Sequence, residues 1–222
     1  MDEHISNDDH GDAENRRNAL ELCGYIFDRL KRRCEFLEEL YKSGHTQEAM
    51  LLCLCYIDGL AWLGWAESSG STRRFIHVLT RYGGNADLRD IGPGHLLDAF
   101  CDASERLRAL AGRIETAIGH SASLRSRDEI IELVTPSVTT DELERLKKEL
   151  WRGTLAATAY RVLRCALVHE SWAHDGIRFE SRDLPGQVQV LDFWMLYGCL
   201  QRILPEAKQR FLYVTPHVSA DE

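Results

Sequence analysis

Arg164 and His169 stand in the segment Tyr160 to Glu170, YRVLRCALVHE, an arginine and a histidine with four residues between them. The two side chains suit cleavage of a phosphodiester. A histidine titrates near neutral pH, so it can take a proton in one step and return one in another. An arginine stays charged and grips phosphate oxygens in a bidentate way, which stabilises charge that builds in the transition state. RNA supplies its own nucleophile in the 2′-hydroxyl, so no metal or covalent enzyme intermediate is required. The spacing sets a condition on the geometry. Five helical steps separate the pair by ~7.5 Å in rise and ~140° in direction, so the two side chains do not meet on one straight helix. They share a groove only if the helix end is distorted or if a second copy of the chain supplies the complementary half.

Other residues bear on this pair. Asp58 is a carboxylate in an otherwise apolar stretch and needs a partner. Arg164 and Arg161 are candidates, and an N–H or hydroxyl contact within the core is an equal alternative. Arg161 lies one turn before Arg164 and is placed for a further phosphate contact, though such residues are more often plain surface. Glu170 is placed to orient His169, though a solvated helix end explains it as well. The non-catalytic explanation of the pair itself is an ion-paired arginine and a histidine favoured by the dipole at a helix C-terminus. Trp62, Trp65, Trp151, Trp172 and Trp194 are able to stack bases, but helical spacing makes core or interface packing their default role.

The composition narrows the function classes. A chain of 222 residues with 44% hydrophobic and 28% charged residues has the balance of an ordinary globular domain. The apolar stretch from Met50 to Ala66 is shorter than a membrane span and is interrupted by Asp58. The acidic start lacks the basic and apolar regions of a signal peptide, so a cytoplasmic location is expected. Seven cysteines, mostly single on apolar faces, read as reduced core thiols. Cys53 and Cys55 lie ~200° apart around a helix, which argues against a metal pair, and no histidine has finger or ribbon spacing to a cysteine. No metal or cofactor is assigned. A net charge of −8 argues against a general electrostatic grip on nucleic acid, which leaves only local basic surfaces. Arg29, Lys31, Arg32 and Arg33, and the pair Arg73 and Arg74, are the candidates, with solvated helix faces as the more ordinary explanation.

Hydrophobic periodicity predicts the elements that position the pair. A disordered acidic tail is expected over residues 1–13, a single domain over 14–213 and a flexible tail over 214–222. Helices are predicted from about Glu14 to Ser43, from Thr46 to about Glu67, over 73–82 after Ser71 and Thr72 as caps, and from about Gly94 to Ile118. The second is apolar nearly all round and is placed at the centre. After a break at Thr135 and Pro136, with Thr140 and Asp141 as N-cap, one helix of about eight turns is predicted to reach His169. Two short strands around 177–190 form a hairpin, and a closing helix runs from about Leu191 to Leu204, slowed at Pro205 and resumed to Phe211. The fold class is all-α, an up-and-down helical bundle with a small β-hairpin after the motif helix.

At Arg164 to Glu170 the chain resembles the HEPN superfamily, helical bundles defined by an arginine, four to six intervening residues and a histidine. YIDGLA at Tyr56 to Ala61 and RRFIHVLTRY at Arg73 to Tyr82 also look like stretches of uncharacterised bacterial proteins of this type. The resemblance implies a metal-independent endoribonuclease active as a homodimer, with Arg164 and His169 as catalytic residues facing their copies across the interface. It also implies an RNA substrate, a toxin or phage-defence role, and an antitoxin or defence protein as partner; that no membrane is involved is expected from the hydropathy alone. Cys165 stands where the family often has a polar residue such as Asn. Ser171 stands where some toxins of the superfamily carry a tyrosine modified by a nucleotidyltransferase, so that mode of control is not implied. The alternative is a non-catalytic helical binding module of the same fold.

Overall fold

The computed structural model describes residues 8–67, 70–100, 104–118, 124–164 and 191–214. The described chain is mainly helical, and its extended pairing is limited to isolated bridges. Among the described residues the α-helices are α1 (Asp8–Lys42), α2 (Thr46–Gly64), α3 (Ser71–Tyr82), α4 (Pro93–Ala99), α5 (Glu105–Ile118), α6 (Arg127–Val134), α7 (Thr140–Glu149), α8 (Leu155–Thr158) and α9 (Phe193–Val214). A π-helical turn, Ala159–Arg164, follows α8 directly. The expected hairpin over 177–190, with Cys165, His169, Glu170, Ser171 and Trp172, lies outside the described residues.

The apolar stretch of α2 takes the central position, as its sequence predicts. Ala49, Met50, Cys53, Leu54, Ile57, Leu60, Ala61 and Gly64 are all buried along it. Helices α1, α3 and α9 and the π turn all pack against it. The turn from α1 into α2 is made by Gly44, whose φ of 89° suits glycine far better than any side chain. There the His45 N–H donates to Leu40 O at 3.1 Å and the Gly44 N–H to Tyr41 O at 3.0 Å, which closes the end of α1.

A second hydrophobic cluster lies between α3 and α8 in sequence. Ile91, Leu96, Phe100, Leu110, Ile114, Ile130, Leu146 and Leu150 form its buried centre. Its two ends meet. The Gly92 N–H donates to Gly153 O at 3.1 Å and the Leu155 N–H to Asp90 O at 2.9 Å. Ile91 also exchanges both backbone hydrogen bonds with Arg125 at 2.7 and 3.0 Å. The chain thus passes at Asp90 into a segment with its own core, which touches the first core through Leu124 and Trp151, and re-enters the first core at Leu155.

Several expectations are corrected. The helix predicted from Gly94 to Ile118 is two helices, and Ser104 accepts the Leu107 and Arg108 N–H groups at the start of α5. The eight-turn helix predicted from Asp141 is also interrupted. Helix α7 ends at Glu149, a 3₁₀ turn covers Leu150–Gly153, and Thr154 restarts the chain by accepting the Ala157 N–H. The longest described helix is therefore α1, with 35 residues. It begins at Asp8, inside the stretch expected as a tail, where an acidic first turn suits the helix dipole. The N-cap of α7 is Thr139, which forms a capping box with Glu142, rather than Thr140 or Asp141. Gly70 precedes α3, so Ser71 is its first helical residue. Pro205 does not interrupt α9; it and Gln201, whose carbonyl loses its helical donor, are both exposed residues. Among the described residues no helix is long and apolar enough to cross a membrane.

Cys23, Cys34, Cys53 and Cys199 are buried free thiols, and Cys55 is a half-buried one. Burial pushes the Cys34 and Cys199 thiols up to about 11, so both stay neutral where their unfolded counterparts ionise. Native Cys34 and Cys199 should therefore resist iodoacetamide at pH 8, as read by peptide mass. Because the unfolded chain releases those protons first, stability should fall as pH rises from about 9 to 11. Gly153 tests the closure between the two cores. A Cβ there would meet Leu96 Cδ1 at 2.8 Å and Ile91 Cγ2 at 3.1 Å. Gly153→Ala should cost about 1–3 kcal/mol in chemical denaturation. Gly112→Ala in α5, where a Cβ meets nothing within 4 Å, should instead gain up to about 1 kcal/mol.

Candidate functional site

Asp58 and Arg164 form an ion pair. Arg164 Nη2 donates to Asp58 Oδ2 at 2.8 Å, with side-chain exposures of 24% and 21%. Of the partners considered for Asp58, the structure selects Arg164. The pair links the central helix to the last residue of the π turn, across a long separation in sequence. Desolvated to this degree, it holds the two elements in one register.

The arginine is also held from its own side of the chain. Its guanidinium lies 5.2 Å from the centre of the Tyr160 ring, one turn earlier. Tyr160 is buried against Phe75, with ring centres 5.0 Å apart, and its hydroxyl donates to Ser71 Oγ at 3.3 Å. The first turn of α3 thereby supports Tyr160, Tyr160 supports Arg164, and Asp58 fixes the charge. The carboxylate and the ring together fix the position of the guanidinium.

Cys55 is half-buried one turn before Asp58, whereas Cys53 is fully enclosed, in keeping with the different faces expected for them. Burial raises the Cys55 thiol despite the nearby positive charge of Arg164. Arg161 is half-buried and pairs with no carboxylate among the described residues. Trp62 follows Asp58 by one turn of α2 and is 63% exposed, so it does not belong to the core. Trp65 is buried, Trp151 half-buried and Trp194 exposed on α9. No group of three or more His, Cys, Asp or Glu side chains able to hold a metal occurs among the described residues.

The sequence reading missed Tyr160 and Ser71. Tyr160 carried a usable signal, since an aromatic four residues before an arginine lies on the same helical face. Ser71 did not, because its role follows from the packing of α3 on the π turn. No protein-family model, curated protein or solved structure matches the chain.

Removing Asp58 should expose the strength of the pair. Asp58→Ala should cost about 1–3 kcal/mol, because it leaves a half-buried guanidinium without its carboxylate. A double-mutant cycle with Arg164→Ala, read by urea denaturation, should give a coupling of about 1 kcal/mol.

Proposed function

We propose that the protein is a HEPN-type endoribonuclease that cuts RNA without a metal, working as a homodimer in the cytoplasm. The observation that carries this reading is the ion pair of Arg164 with Asp58 at the end of a π turn. A half-buried arginine fixed by a carboxylate and a ring has the rigidity that transition-state stabilisation needs. π turns are frequent at functional sites. The described chain enters Arg164 in that winding.

In the proposed mechanism His169 acts as general base on the 2′-hydroxyl. Its oxygen attacks the adjacent phosphorus, and Arg164 stabilises the phosphorane. The partner's His169 gives a proton to the leaving 5′-oxygen. The products are a 2′,3′-cyclic phosphate and a 5′-hydroxyl. Arg161 and Glu170 take supporting roles beside the pair, and Asp58 positions Arg164. An up-and-down bundle with a hairpin over 177–190 belongs to the same reading, as does a toxin or phage-defence role with an antitoxin or defence partner.

A second reading is favoured by the same ion pair. A guanidinium committed to Asp58 also serves as a strut, as in a non-catalytic helical binding module. Cutting of RNA in the presence of a chelator separates the two. Both Arg164→Ala and His169→Ala should lower the cutting rate by at least about 100-fold. Arg164→Lys should keep the charge beside Asp58 and melt close to the wild type, yet cut more slowly for want of the bidentate fork. Undiminished cutting by His169→Ala would refute the mechanism, and absence of any cutting by the wild type would favour the module.

A further inference from the structure

The exposed side of α3 carries charge that the ion pair at Arg164 does not use. Arg73, Arg74, His77 and Arg81 fall within about 100° of arc on this helix, opposite the buried Phe75 and Leu79. Hollows flank that face on both sides. One, of about 730 Å³, lies toward the end of α2 and α9, and the other, of about 530 Å³, lies toward Lys148 and Trp151. His77 lines both.

The arginines at these hollows lie against rings. Arg73 lies 5.5 Å from the centre of the Trp151 ring. Arg210 lies 4.9 Å from Trp65 and 5.1 Å from Tyr82, and donates to the Tyr82 hydroxyl at 2.7 Å. Among the described residues neither arginine, nor Lys148, forms an ion pair. An arginine laid on an aromatic face has its plane fixed while its charge stays unneutralised, which prepares it for an anion. The larger hollow has mixed charge, because Glu67 and Glu206 also line it. Among the described residues that line the smaller one, the carboxylate is Glu149, engaged by Arg152 at 2.6 Å; Glu144, one turn before Lys148 on α7, pairs with Lys147 at 2.8 Å, so Arg73 and Lys148 dominate.

The position relative to Arg164 gives this face its direction. Ser71 touches the Tyr160 ring that supports Arg164, and His77 stands about 9 Å further along α3. We propose that the α3 face around Arg73, with Lys148 of α7 beside it, binds the phosphates of a single-stranded RNA and feeds the strand toward Arg164. Successive phosphates then explain why fixed, unneutralised cations line a face that leads to the site of cutting. The choice of RNA among polyanions rests on the ribonuclease reading, whereas the anion-binding face itself does not.

The test uses a fluorescein-labelled, 2′-O-methyl single-stranded RNA, which cannot be cut by attack of its own 2′-hydroxyl. Anisotropy titrations with the full chain should show binding that weakens with salt. Arg73→Glu with Lys148→Glu should weaken it at least about tenfold and reduce the salt slope by about 1.4, the loss of two single-strand phosphate contacts. Arg106→Glu with Arg108→Glu, the same change of charge on exposed positions of α5, should have little effect. Affinity of the α3 variant within about twofold of the wild type would overturn the proposal, as would an equal loss in the α5 variant or no binding at all. Cutting that needs Arg164 and His169 but not Arg73 and Lys148 would overturn this face alone. Binding through α3 without any cutting would instead leave the face and remove the ribonuclease reading.

Discussion

A carboxylate on an otherwise apolar helix at the centre of a protein has few tolerable environments, and Asp58 imposes that constraint here. Without a cation its desolvation opposes folding, so an element carrying a positive charge must come to α2 at that height. Arg164 answers it, and the π turn is thereby fixed against the central helix. Tyr160 and the start of α3 complete the enclosure. The interaction joins three elements that the chain separates widely, and the candidate site consists of what that joining leaves at its edge.

The parts that were legible in sequence follow from simple demands. The apolar surround of α2 required burial on nearly all sides, and the structure places it among α1, α3 and α9. The isolated charge of Asp58 required a partner, for which Arg164 and Arg161 stood equal with an N–H or hydroxyl contact in the core, and the structure supplies Arg164. Gly44 follows α1 with a φ of 89°, and Gly83, where a Cβ would meet Cys199 Cβ at 3.1 Å, follows α3, so a glycine stands at the end of each helix.

The parts that were not legible share a different cause. Apolar periodicity from Leu143 to Leu163 continues across Gly153 and Thr154, so hydrophobic spacing alone reads as one helix. The break is dictated by distant backbone groups, since Gly153 and Leu155 must meet Gly92 and Asp90. The same reason hides the division between α4 and α5. Leu96 and Ile114 are buried in one cluster whether or not the helix between them is continuous. Periodicity reports which residues face a core, and it is silent on which core. The face of α3 was visible only as the pair Arg73 and Arg74. Its relation to Trp151 and Lys148 depends on how the second cluster returns to the first.

That return has a bearing on how the chain organises itself in time. The backbone bonds at Asp90 and Leu155 bring together the ends of a long excursion, and the entropy of such a closure grows only with the logarithm of its length. The excursion's own hydrophobic centre shortens the effective distance between those ends once it collapses. The π turn lies immediately beyond the closure, so Arg164 reaches α2 on a path made short by a segment that contributes little to α2 itself. The second cluster thus brings Asp90 and Leu155 together just ahead of the turn whose charge Asp58 requires.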